Sequence, residues 1–280
     1  PMSKEEYCAV IDELVETSVD AVVVGLGEGR TMLHDTRAGE LLGEYNERWD
    51  HIVFRRAFQN ANALIEAGND PLRLLTERAR EKGLQFIPLL QVQKHGPESV
   101  PTRCSRFRRE NTHLEIGAAM DVNREYPGLD CLDFKHPEVR KERFGIIAEV
   151  LNDYDVDGFH LQLVEAPWFF HPDEIDAGRS TMTAWIGRIS EEVKQTGNDR
   201  ELLIEIPFDL EQAYDAGLDF ERWITDGIVD ALVPSGSAVA QMTDFGPLLE
   251  LVKGTPVRVL APIGNSVGSD RLGTASTSAI

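Results

Sequence analysis

Cysteine, lysine and long apolar runs are all scarce in this 280-residue chain. The three cysteines, Cys8, Cys104 and Cys131, are far apart and odd in number. They make neither a disulfide framework nor a spaced metal site, and read as inert thiols. No apolar run approaches the roughly 20 residues of a membrane span, so no membrane partner is expected. The opening PMSKEEY lacks the basic region and apolar core of a signal peptide. The chain starts at Pro1 instead of an initiator Met, so a cytoplasmic protein and an exported one with its leader removed both stay open.

Several chemical signatures are missing too. Gly25, Gly27 and Gly29 do not make the G-x-G-x-x-G turn of a dinucleotide site, and no helix opens directly after them. There is no G-x-S-x-G elbow and no H-E-x-x-H. The histidines, at 34, 51, 95, 113, 136, 160 and 171, show no ligand spacing. No cofactor and no metal are therefore expected; a metal drawn from strand ends such as Asp133, His160 and Glu205 would rest on few cues. Lys is 7 against 21 Arg, and the formal charge is -20. Such a surface repels phosphate backbones and anionic headgroups, which excludes nucleic acid as a natural partner.

What is present is a 42% apolar chain, enough for a sizeable core, with β-branched runs alternating with amphipathic stretches. Strands are expected at 19–27, 84–92, 129–134, 156–167, 201–209, 228–236 and 256–264. Helices are expected at 52–67, 71–83, 137–154, 181–196, 219–226 and 244–253. Asn69 or Asp70 can cap the second helix, Pro71 suits its first turn and Gly83 ends it. Seven strands, most followed by a helix, define an α/β TIM-type (β/α)8 barrel over 1–265 with its eighth unit missing or divergent, and a polar tail over 266–280. A doubly wound open sheet is the alternative. Long connections at 28–50 and 93–128 leave the carboxyl ends of strands, where barrel active sites are built. The second is rich in arginine (Arg103, Arg106, Arg108, Arg109) and reads equally as an ordered cover.

Strand alternation sorts helix-facing from lumen-facing side chains. In 201–209 the apolar set Leu202, Ile204, Ile206 and Phe208 faces the helices, which turns Glu205 inward and Asp209 inward or upward. The same test turns Gln91, Gln93, Asp133, His160 and Gln162 toward the lumen, with Lys94 and Glu165 at strand ends. Arg258 on the last strand points into the lower lumen, where it could neutralise Glu205. So many buried polar groups must bond one another or a ligand. Trp168, Phe169 and Phe170 follow at once; Trp168 is the one assigned to the ligand side, because sugar rings stack on aromatic planes while amides and carboxylates bond their hydroxyls.

The stretches AGNDPLRLLTERAREKGLQFIP (67–88), LDFKHPEVRKERFGIIAEVLNDYDVDGFHLQ (132–162), APWFF (166–170), GLDFERWITDGIVDALVPS (217–235) and GTPVRVLAPI (254–263) together resemble the glycoside-hydrolase-like TIM-barrel proteins of bacteria, also called family-ten-like glycosyl hydrolases. That resemblance implies a TIM barrel acting on polysaccharide. The family's D-G-[IV]-E-L-D-[FW] strand here reads Asp157, Gly158, Phe159, His160, Leu161, Gln162, Leu163, so both acidic positions are replaced. The family's Arg-Met-Asn-Asp-like end of strand two is Gln91, Val92, Gln93, Lys94, and its usual Arg after strand four is Glu165.

Glycoside hydrolysis needs two carboxylates flanking the scissile bond. Glu165 is the expected general acid and Glu205 or Asp209 its partner, with His160 able to move a proton near neutrality. Gln91, Gln93, Lys94, Asp133, Gln162 and Trp168 are the expected substrate contacts. Two other readings remain: a non-catalytic carbohydrate-binding barrel, and a lyase or isomerase of uronic acids held by Arg103 or Lys94.

Overall fold

Six of the β-branched runs pair side by side and all in one direction. The computed structural model describes residues 2–49, 51–94, 104–119, 121–236 and 244–262. In it β1 (Ala21–Gly25), β2 (Gln85–Gln91), β3 (Gly158–Gln162), β4 (Glu201–Pro207), β5 (Ala231–Ser235) and β6 (Arg258–Val259) form one parallel sheet in sequence order. The order never reverses, so the switch point of a doubly wound sheet is absent from it. The sheet is an open arc among the described residues, with β1 and β6 at its ends.

Among the described residues nine α-helices connect or precede the strands: α1 (Lys4–Asp12), α2 (Ile52–Glu66), α3 (Pro71–Glu81), α4 (Arg106–Glu110), α5 (Pro137–Asp153), α6 (Ile175–Thr196), α7 (Leu210–Asp215), α8 (Phe220–Thr225) and α9 (Gly246–Val252). Their buried residues join the strand residues of one parity, among them Phe86, Leu90, Phe159, Leu161, Leu202, Ile204 and Leu232, in one continuous core. On the other parity Ile87, Leu203 and Ala231 form a small separate apolar cluster. That division is the one expected from alternation, with the helices on one face and a partly polar second face.

Local chemistry explains the ends. Asp70 caps α3 by accepting from the Arg73 amide, Pro71 fills the first turn, and Gly83 turns the chain with φ +74. The Asp70 carboxylate also accepts from the amide of Asp35. Asp70→Ala is expected to cost about 1 kcal/mol, roughly 2–4 °C in melting temperature, measurable by thermal unfolding. No helix was expected at α1, although Ser3 and Glu6 form a capping box there.

Two sequence expectations are corrected. The run 129–134 is not a strand: β2 pairs directly with β3, Leu89 opposite His160, and no place is left between them. Instead the run crosses the carboxyl end of the sheet. Leu132 makes a single antiparallel bridge to Glu115, and Phe134 N donates to the Phe169 carbonyl. Arg258 is the second correction. It stands opposite Ala231 and bonds Glu201 at 2.5 Å, not Glu205, at the more exposed lower end of the sheet.

A repeated device closes the lower edge. Val-Asp precedes β1, β3 and β5 as Val19-Asp20, Val156-Asp157 and Val229-Asp230. The carbonyls of Asp20, Asp157 and Asp230 accept from Gln85, Glu201 and Arg258, each beginning the next strand. The Asp157 and Asp230 carboxylates also reach back to the preceding strands, accepting from Phe86 N and Leu202 N at 2.7 Å.

Candidate functional site

At the carboxyl end of the sheet, register alone assembles a polar row. Gln91 on β2 stands opposite Gln162 on β3, and Gln162 opposite Glu205 on β4. One same-face step below, Leu89, His160 and Leu203 form the next row, and Leu203 belongs to the small inner cluster that makes the floor. Gln91, His160 and Glu205 are all buried. These side chains meet because three adjacent strands run parallel without a bulge between them.

Glu205 is the centre of the group. Gln162 Nε2 donates to its Oε2 at 3.0 Å, and His160 Nε2 lies 3.5 Å from the same oxygen. Burial by itself pushes the Glu205 carboxyl up, but the Gln162 hydrogen bond together with the nearby His160 ring and Ser235 hydroxyl outweighs it and holds it below its ordinary value. The group is thus a buried carboxylate kept ionised by donors. Ser235 was not singled out in the sequence, yet alternation along β5 puts Ala231, Val233 and Ser235 on the Glu205 side, so the signal was there.

The pH consequence has a definite sign. A carboxyl whose native pKa lies below its unfolded value, here 4.5, binds fewer protons when folded, so its stabilisation is complete above 4.5 and lost as pH falls through the native value. As pH falls from 4.5 through that lower native value, the parent chain should lose more stability than Glu205→Gln. Urea titrations at stepped pH check this; parallel losses would remove the donor-stabilised carboxylate.

Other expected residues are placed differently. Gln93 is buried, and its amide serves the backbone: Nε2 donates to the Leu132 and Trp168 carbonyls at 2.8 and 3.0 Å, while Oε1 accepts from Leu132 N. Asp133 lies off the sheet; its carboxylate accepts from Lys135 N and meets Lys135 Nζ at 3.2 Å. Asp209 is just past β4 and exposed, and it caps α7 by accepting from the amides of Glu211 and Gln212. Lys94 Nζ and Glu165 Oε1 meet at 3.5 Å at the mouth, where Glu165 is half-exposed, so the pair contributes little to stability.

The long loops carry buried charge and glycines in close contacts. Arg108 donates to the Lys94 carbonyl and to Glu115, both within 3.1 Å, which makes it a brace of the cover. Arg103 lies outside the described residues. Gly29 has φ +86, and a Cβ there would stand 2.7 Å from the Gln91 carbonyl. Only glycine lets the first loop rest on the end of β2. Arg143 Nη1 fixes that turn by donating to the Gly29 carbonyl.

Beyond β3, Phe169 and Phe170 sink into the core, and Trp168 stays half-buried beside a cavity of about 210 Å³. Tyr126, Ile175, Gln212 and Asp215 line the same cavity, and none of them was anticipated from sequence. Among the described residues no group of His, Cys, Asp or Glu is arranged to hold a metal ion. No helix among them is long and apolar enough to cross a membrane.

No protein-family model matches the chain, and no curated protein matches it. Solved structures do. A cycloisomaltooligosaccharide glucanotransferase from Paenibacillus sp., solved with cycloisomaltoheptaose, aligns over 94% of this chain and 37% of its own, with TM-score 0.52 and 10% identity. Alpha-L-fucosidase isoenzyme 2 from Paenibacillus thiaminolyticus aligns over 83% of this chain and 32% of its own, at TM-score 0.49 and 14% identity. A GH36 alpha-galactosidase from Geobacillus stearothermophilus, solved with stachyose, covers 92% and 36%, at TM-score 0.45 and 13% identity. The chain thus spans about a third of the length of these structures. The glucanotransferase likeness establishes a shared fold, a mixed α/β arrangement around a parallel sheet.

Proposed function

We propose that the chain is a glycosidase-like, carbohydrate-active domain whose reaction centre is Glu205. The observation that carries this reading is the buried carboxylate flanked by Gln162, His160 and Ser235 at the carboxyl end of a parallel sheet. An ionised carboxylate suits the nucleophile or charge-stabilising half of a glycosidase pair, since positive charge develops on the sugar ring in the transition state. His160 is placed to exchange a proton with that carboxylate or with a substrate hydroxyl. Gln91 and Gln162 supply amides for hydroxyls, and Glu165 at the mouth is the proposed acid. Asp209, spent as a helix cap, is the weaker choice for the second carboxylate.

A neutral saccharide fits the -20 charge, and the fold likeness to a glucanotransferase agrees with a saccharide substrate. The test is hydrolysis of a panel of aryl glycosides by the parent chain and by Glu205→Gln. One observation favours a second reading, a domain that binds sugar without cleaving it: Glu205 stands in its row between Gln162 and Val233, with Gln91 one strand further, and none of these is the second acid that would be wanted. Tight saccharide binding with no turnover on any glycoside in the panel would select that reading.

A further inference from the structure

The cavity beside Trp168 belongs to none of the groups that surround Glu205. We propose that it is a separate subsite that seats one neutral pyranose ring of the saccharide, an assignment that rests on the reading of Glu205 as a carbohydrate centre. At about 210 Å³ it is smaller than the roughly 300–1,000 Å³ of sites for larger ligands, so it takes one ring and not a chain. Its walls are Tyr126, Trp168, Phe170 and Ile175, and its polar groups are the exposed Gln212 and Asp215 on α7. A pyranose presents just that division, with C–H faces for an aromatic plane and hydroxyls at the edge for an amide and a carboxylate. Burial pushes the Tyr126 hydroxyl up to about 12, so it remains a donor across the neutral range.

The walls are held in place by close packing and hydrogen bonds. A Cβ on Gly128 would stand 2.4 Å from Trp168 Cβ, and one on Gly178 would stand 2.5 Å from the Phe170 ring, so both aromatics lean on glycine. Gln93 ties the Trp168 carbonyl to the end of β2. His171 Nε2 lies 3.5 Å from Asp121, at the start of the segment that carries Tyr126. Trp168 follows Gln162 by six residues, which sets an upper bound of about 22 Å between their Cα atoms. The cavity is therefore within reach of the same oligosaccharide that lies on Glu205. The rim carboxylate of Asp215 and the negative net charge disfavour an anionic sugar there.

The experiment uses the Glu205→Gln chain, so that ligands are bound and not consumed. Methyl α-glucopyranoside, methyl α-galactopyranoside and methyl α-fucopyranoside are titrated by saturation-transfer NMR at millimolar concentration, with methyl α-glucuronide as the anionic control. At least one neutral glycoside is expected to bind, more tightly than the glucuronide at low salt. Trp168→Leu should weaken it about tenfold, Trp168→Phe should keep most of the binding because a flat ring remains, and Asp215→Asn should weaken it severalfold. No neutral glycoside binding, or binding indifferent to both Trp168→Leu and Asp215→Asn, overturns the subsite. If Trp168→Leu does not fold, the Asp215→Asn result decides alone, since that side chain is exposed. Trp168-dependent binding by a parent chain that cleaves nothing removes the Glu205 reading and leaves the pocket; turnover without such binding does the reverse.

Discussion

Glu205→Gln is expected to lower turnover of aryl glycosides by about 10²–10⁴ while the fold is kept. The substitution keeps the shape and replaces one oxygen by an NH2 group, so the row Gln91–Gln162–205 stays packed. It removes the negative charge that three neighbours are arranged to hold: Gln162 at 3.0 Å, His160 at 3.5 Å and the Ser235 hydroxyl. If that carboxylate stabilises developing charge or attacks the sugar, the loss falls on kcat and on kcat/KM alike, because the interaction is made in the transition state. A change confined to KM would mean that Glu205 only helps bind substrate. Turnover within a factor of about two of the parent would exclude Glu205 from the reaction.

The largest effect on stability is expected at Trp223. Its ring is fully buried where α8 packs into the core, and its Nε1 donates to the Thr183 hydroxyl on α6 at 2.9 Å. Trp223→Ala opens a large cavity and leaves that buried hydroxyl without its donor, a combined cost of about 3–5 kcal/mol. For a domain of this size that is a fall of roughly 6–20 °C in melting temperature. Trp223→Phe keeps most of the volume and loses the hydrogen bond, so it should cost less than half as much. Equal effects of the two would show that the hydrogen bond, and not the packing, dominates. A loss below about 1 kcal/mol for Trp223→Ala would contradict the close packing seen there.

Much of the scaffold was readable because it depends on local chemistry. Asp70, Pro71 and Gly83 mark the limits of α3 directly, and the alternation of Leu202, Ile204 and Ile206 against Leu203 and Glu205 identifies both faces of β4. The errors came where long-range pairing decides. LDCLDF has the length and apolar content of a short strand, but whether it joins the sheet depends on β2 and β3, which pair with each other and exclude it. Arg258 has the inward parity that was expected, yet parity cannot choose between Glu205 above and Glu201 below. The lower one won, where both side chains keep some solvent. Asp209 follows the same pattern: its parity suggested the lumen, but β4 ends at Pro207 and the chain turns at once into a helix that needs a cap. The Trp168 cavity draws on three separate segments, around Tyr126, Trp168 and α7, and no single stretch of sequence contains it.

The Val-Asp steps before β1, β3 and β5 make the sheet a series of linked strand pairs. Each aspartate carbonyl joins a strand to the next one, and the carboxylates of Asp157 and Asp230 couple a pair to the one before it. Glu205 and His160 both sit in the middle pair, β3–β4, which is clamped from both sides: Asp157 ties it to β2 and Asp230 ties it to β5. A series of links loosens from its ends, and among the described residues β1 and β6 each pair with one strand. Amide hydrogen exchange should therefore run fastest in β1 and β6 and slowest in β3 and β4. The polar centre then occupies the most rigid part of the molecule, and its geometry survives fluctuations that open either edge.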